Sequence, residues 1–240
     1  MRKWIPAFLI VSSYAFGAFA YSRLPDMVSP RWDALMPWVR SGGADAIPPA
    51  LAAFGVPTLA LAMWLLLRGV ASPAGERLGR RVFPTWLVSE RTGAGAVARF
   101  GPTFDIIVAV VVSGVLLFHA VTLGTVLGWP AWTRQAFTVL VGLGIMVLGN
   151  IMPRTRPNWV AGLRTKRTLS DPNMWRNTHR WFGALLMLTG IAVVVTGLLA
   201  APYALLTGLI GALVSAITAT IVARKRGQSD MPMDHPRSPC

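Results

Sequence analysis

Apolar and polar residues follow one another along this chain in long blocks, not at the short spacing of an amphipathic soluble fold. Apolar blocks cover residues 4–21, 48–67, 106–128, 134–152, 181–200 and 203–223. About 20 apolar residues cross a hydrocarbon core of ~30 Å, so each block predicts one membrane-spanning helix. The chain reads as an all-α integral membrane protein with six transmembrane helices. The first block follows Arg2 and Lys3 and ends near Ala18-Phe19-Ala20, a shape that also fits a cleavable signal peptide. A second apolar block follows soon after, which favours a retained anchor. Blocks three and four are joined by a short turn, Trp129-Pro130-Ala131-Trp132-Thr133, and blocks five and six by a tight turn at Pro202. The longer polar stretches are 22–47, 69–103, 149–183 and the tail.

Charge orients the helices. With the termini, the 68–103 stretch that begins at Arg68 and the 149–183 stretch on one side, 19 of the 23 basic residues share that side, leaving Arg23, Arg31, Arg40 and Arg134 opposite. Lys and Arg gather on the cytoplasmic side of membrane proteins, so both termini are predicted to be cytoplasmic. Composition agrees: 54% of residues are hydrophobic and 13% charged, against roughly 25% charged in soluble domains. A net charge of +14 then means basic cytoplasmic loops and attraction to anionic membrane lipids, not direct nucleic-acid binding. The single cysteine, Cys240, is the last residue; it forms no internal disulfide and no prenylation box.

The 149–183 stretch concentrates the polar chemistry. It carries Asn150, Asn158, Asn173 and Asn177, six arginines, Lys166 and His179, and Pro153, Pro157 and Pro172 forbid one continuous helix through it. Asp171-Pro172 reads as a helix N-cap followed by proline at the first helical position. A short interfacial helix through Trp175 and Arg176 is expected there, with Thr178-His179-Arg180 in the first turn or cap of helix five. The spacing of Gly149, Asn150, Met152, Pro153, Pro157, Asn158, Gly162, Arg164, Thr165, Thr168, Leu169, Trp175, Thr178, His179, Arg180 and Gly183 resembles the C-terminal signature of the SdpI family. These are bacterial membrane proteins named for immunity to a secreted killing peptide. One departure lies inside the signature, where Lys166-Arg167 replaces the family's usual Pro-Trp. Leu24-Pro25-Asp26 and Trp32-Asp33 resemble a degraded form of an associated N-terminal motif, with Ser29, Arg31, Asp33 and Met36 at departing positions; a solvated loop with interfacial Trp32 and Trp38 is preferred. The resulting division is 1–100, a two-helix region; 101–226, an SdpI-like four-helix region; and 227–240, a disordered tail.

The resemblance implies a protein of the bacterial cytoplasmic (inner) membrane that gives immunity to a peptide toxin and holds a cytoplasmic repressor at the membrane. The residues themselves leave rivals open. Asn158, Arg164 and Thr165 suit either locking the loop or gripping a carboxylate or phosphate, which admits a membrane enzyme or a lipid head-group protein. Asp171 is the sole acid of the stretch and adjoins Ser170 in a cap, so a Ser170–His179–Asp171 triad is poorly supported. No Cys/His/Asp cluster has metal-ligand spacing, and no cofactor is implied. Gly93-Ala94-Gly95 lacks the Gly-Lys-Ser/Thr of a phosphate loop. His119 is the one histidine deep in an apolar block; a neutral imidazole bonded to a neighbouring helix is expected over haem ligation with His179. A small transporter would need a polar path, and His119, Ser113, Thr122, Thr189 and Thr196 offer little of one. No internal repeat points to an inverted-repeat transporter. Gly124 and Gly128, with Gly142, Gly149, Gly183, Gly190 and Gly197, suggest close helix packing within one bundle in preference to a dimer seam, with homo-oligomerisation left open.

Overall fold

The computed structural model describes residues 2–29, 46–89 and 91–229, and regular structure within them is helical apart from one isolated bridge, Val28 to Ile47. The elements are α1 (Ile5–Tyr21), α2 (Pro49–Val70), α3 (Pro73–Val82), α4 (Ala94–Ala98), α5 (Gly101–Val126), α6 (Trp132–Ile151), α7 (Lys166–Ser170), α8 (Pro172–Leu198) and α9 (Ala204–Ser229), with 3-10 turns at Arg2–Trp4 and Met152–Arg154. Five helices, α2, α5, α6, α8 and α9, are long and apolar enough to cross a membrane; α1 has 17 residues and is shorter. The protein is a multi-pass membrane protein. Its outward faces are correspondingly apolar, with Leu188, Leu198, Leu209 and Leu213 all exposed. Arg31, Trp32, Asp33, Met36, Trp38, Arg40 and the tail residues 230–240 lie outside the described residues.

Two differences from the sequence reading follow from helix propagation. The helix expected to stop after Arg176 continues from Pro172 without a break into the fifth span, because nothing after Asn173 interrupts helical hydrogen bonding. Helix α9 likewise carries three residues of the expected tail, ending at Ser229.

The bundle forms two packed groups. On α5, Phe104, Val108, Val112, Leu116 and His119 recur every three or four residues and are buried, placing one face against α1 and α2. His119 ties the three helices together. Its Nε2–H donates to Ala52 O at 3.1 Å and its Nδ1 accepts from the Ser13 hydroxyl at 2.9 Å. A carbonyl can only accept, so Nε2 carries a hydrogen, and in the neutral ring Nδ1 is then the acceptor. At one end, Arg68 Nη1 meets Asp105 Oδ1 at 2.6 Å and Arg68 Nη2 donates to Lys3 O at 3.3 Å, joining the start of α1, the end of α2 and the start of α5.

The second group is α6, α8 and α9. A Cβ on Gly149 would lie 2.7 Å from Gly183 O, and one on Gly183 2.5 Å from Gly149 O. Gly142 and Gly190 repeat the arrangement one heptad away, with a Cβ on Gly190 falling 2.7 Å from Gly142 O. The helices thus run antiparallel in backbone contact, the close approach that glycine permits in lipid. Gly124 and Gly128 form no such seam. The Trp129 ring packs directly on Gly124, and Gly128 lies beyond α5 in a turn with φ +80°, a conformation glycine supports without a Cβ penalty.

Gly183→Val is expected to destabilise the protein by ~1–3 kcal/mol, the usual scale of overpacking, seen as a lowered Tm in detergent. Gly114→Ala, where a Cβ meets nothing within 4 Å, should leave Tm unchanged; equal losses in both variants would refute the seam.

Candidate functional site

The 152–172 connection is built on side chains that satisfy its own backbone. Asn158 is fully buried, and its side chain uses all its hydrogen-bonding capacity. Nδ2 donates to Arg156 O and Ala161 O at 2.7 and 3.1 Å, while Oδ1 accepts from Val160 N and Ala161 N at 2.9 and 2.7 Å. Thr165 caps α7: its hydroxyl accepts from Thr168 N at 3.2 Å while Thr168 Oγ1 accepts from Thr165 N at 2.8 Å, a reciprocal capping box. Thr168 Oγ1 also donates to Leu163 O at 2.9 Å.

His179 pins this loop to α8. Its Nδ1–H donates to Trp175 O at 2.8 Å and its Nε2 accepts from Leu163 N–H at 3.1 Å. A carbonyl accepts and an amide donates, so the ring is the neutral Nδ1–H tautomer with both nitrogens engaged. The imidazole stacks on Trp175 at 3.9 Å between centroids, and both side chains are buried. Gly162 passes over this stack with φ +109°, where a Cβ would strike His179 Nε2 and the Trp175 ring. Two requirements, left-handed backbone and close approach, therefore select glycine at 162. Trp175 Nε1 in turn donates to Thr155 O at 3.1 Å, holding the start of the connection.

The remaining signature positions separate from this nucleus. Asn150 and Arg180 are exposed on α6 and α8. Pro153 is exposed in the 3-10 turn, with its ring beside Gly183, and Pro157 is half-buried. Thr178 is fully buried, and its hydroxyl has no partner among the described residues. Arg164 is exposed and its Nη1 donates to Trp159 O. It lines an apolar groove of about 960 Å³ formed with the end of α2, the α3 helix and Trp159. Lys166, at the departing position, lies 5.9 Å over the Trp86 ring. His119 belongs to the other helix group, and both histidines spend both ring nitrogens within the chain.

Three contributors were not singled out from the sequence. Thr155 receives Trp175; Trp159 donates its backbone N–H to Thr92 O at 3.1 Å and packs its ring on Gly79. The third is Glu76. Its Oε2 accepts from Ala94 N at 2.6 Å and its Oε1 from Arg80 Nε at 3.0 Å. The Gly93-Ala94-Gly95 turn thus holds an anion, but the anion is the chain's own carboxylate, seated where a Cβ on Gly93 would be. The hydrogen bond from Arg80 holds the Glu76 carboxyl below its ordinary value of 4.5, assisted by that from Ala94 and opposed by burial.

With this geometry in hand, comparison with known proteins is direct. Residues 154–223 match the family model of the SdpI/YfhL protein family. This part of the chain is similar to the SdpI/YfhL family. It is 36% identical over 66 residues to the uncharacterized protein YfhL of Bacillus subtilis (strain 168), an alignment covering 26% of this chain and 60% of that relative. No solved structure matches. The matched segment takes in the loop nucleus, α8 and most of α9.

His179→Ala is expected to loosen the loop of the matched segment by ~1–3 kcal/mol, since it leaves Leu163 N–H unpaired. Limited proteolysis should cleave it faster near residue 163; unchanged cleavage would show that the peg is dispensable. For Glu76, a lowered folded pKa means stability present above 4.5 and lost as pH falls through the folded value. The Tm advantage of wild type over Glu76→Gln should be full at pH 7 and shrink below pH 4.5; an advantage constant down to pH 3 would contradict the assignment.

Proposed function

We propose that the protein is an SdpI-like immunity protein of the bacterial cytoplasmic membrane, with six spans and both termini cytoplasmic, that works by binding and not by catalysis. The observation that carries the binding reading is the use of the signature's polar groups. Asn158, Thr165, Thr168 and His179 are consumed by the loop's own backbone, so none of these four stands free as a nucleophile or base. What the loop presents is a stiff frame with exposed arginines and an apolar groove at Arg164. The ties among residues 2–4, 68–105 and 152–172 at one end of the bundle support the grouping of basic stretches on a single side. Family resemblance supports the immunity role. The peptide toxin is the proposed ligand, and the basic face is suited to hold a cytoplasmic repressor.

A second reading rests on the groove itself. It runs from the lipid-exposed Leu65 and Leu66 of α2 to the guanidinium of Arg164, a layout that accommodates an acyl chain with its phosphate on the arginine.

Survival of a sensitive bacterium expressing this protein, challenged with a pore-forming toxin of the sporulation-delaying type, separates the readings. Wild type should protect, and Arg164→Ala at matched membrane level should lose at least tenfold of that protection. Wild type that fails to protect, while retaining phospholipid that Arg164→Ala does not, would replace immunity with lipid binding.

A further inference from the structure

A second hollow, of about 720 Å³, opens on the other side of the signature loop and is lined by Arg91, Arg99, Arg154, Arg156 and Arg176, with Asn173 among them. The five arginines come from three separate stretches: the turn and short helix at 91–99, the exit from α6, and the first turns of α8. Two ties bring these stretches together. Trp159 N–H donates to Thr92 O at 3.1 Å, and Trp175 Nε1 donates to Thr155 O at 3.1 Å. Thr92 adjoins Arg91, and Thr155 lies between Arg154 and Arg156. All four tying residues are buried, so the backbone from which these arginines emerge is fixed even though the side chains are exposed.

Five guanidinium groups around one hollow repel one another unless an anion joins them. Among the described residues the ion pairs are Arg68 with Asp105 and Arg80 with Glu76, and none of the five takes part. Asp171, beside the hollow in sequence, spends Oδ1 on Asn173 N–H at 2.8 Å as the cap of α8. Neutral acceptors orient two of the five: Arg176 Nη2 donates to Asn173 Oδ1 at 2.7 Å, and Arg99 Nη2 to Arg91 O at 3.4 Å. Planar guanidinium groups match phosphate oxygens two at a time. We propose that this hollow is a binding site for a phosphate-bearing anion, separate from the Arg164 groove and independent of the immunity reading. A soluble diphosphate and the head-group of an anionic phospholipid share that chemistry.

The test has two arms on the full chain. In neutral detergent, sodium pyrophosphate is titrated calorimetrically; in nanodiscs of mixed phosphatidylglycerol and phosphatidylcholine, retained phosphatidylglycerol is counted by native mass spectrometry. Arg154→Ala/Arg156→Ala removes two exposed guanidinium groups without touching the ties, and Arg23→Ala, at the other end of the bundle, controls for loss of an arginine away from the hollow. The double variant should bind at least tenfold more weakly than wild type, with Arg23→Ala unchanged. Loss in the pyrophosphate arm identifies a soluble phosphate as a ligand, and loss confined to the phosphatidylglycerol arm identifies a head-group. No difference between wild type and the double variant in either arm, or an equal loss with Arg23→Ala, would overturn the site.

Discussion

The backbone contact between α6 and α8 is the constraint on which the rest of this half of the molecule depends. The signature loop leaves the end of α6 and enters the start of α8. With Gly149 against Gly183 and Gly142 against Gly190, its two ends are held as close as two helices can come. In lipid the drive for such contact is packing and not exclusion of water, so missing side chains matter more than apolar ones. A bulkier residue at either site would spread the helices, and the loop spanning them would lose its closed form. The glycines that bound the SdpI-like signature are therefore part of the mechanism that shapes the loop.

Closing the loop raises a second demand, because backbone amides at the edge of the membrane must find partners. Here they find them in side chains from the same stretch. Asn158 serves four backbone groups, Thr165 and Thr168 serve each other's amides, and His179 links the loop to α8. Such a frame resists rearrangement, since freeing any one polar group leaves a buried partner unsatisfied. It also explains why residue types that look catalytic in sequence are chemically occupied. His179 cannot serve as a base at Nε2 while it accepts from Leu163.

Much of the fold was legible in sequence because membrane-spanning length and turn chemistry are local properties. Blocks of apolar residues located α2 and α6 to within three residues at each end, while α5 begins five residues before its block, α9 runs six residues past its block and α8 starts nine residues early. The Asp171-Pro172 cap was correct as a start, but the stop after Arg176 was not, since an interfacial helix and the first turns of a span carry the same residues. The site was less legible. Whether Asn158 grips a ligand or its own loop depends on which backbone amides lie within reach, a tertiary fact. Gly124 and Gly128 fit the small-residue spacing of a helix seam, yet one receives a tryptophan ring and the other turns the chain. Spacing alone does not distinguish these uses.

The amphipathic helix α3 and its surroundings show how charge is managed at this end of the bundle. In the Gly93 turn, one carboxylate, Glu76, sits between Arg80 and the Ala94 amide, and donors that would attract a phosphate are already satisfied. A short distance along the same chain, Arg91 and Arg99 line one hollow with Arg154, Arg156 and Arg176, and none of the five is in an ion pair among the described residues. A positive face turned toward the cytoplasm would account for scattered basic residues. It does not account for bringing five of them around one hollow by buried ties from Trp159 and Trp175. Convergence costs repulsion that scattering avoids, and an anion that bridges the guanidinium groups removes that cost. The same signature loop that closes on itself through Asn158 and His179 thereby supplies, on its outer side, the walls of an anion site.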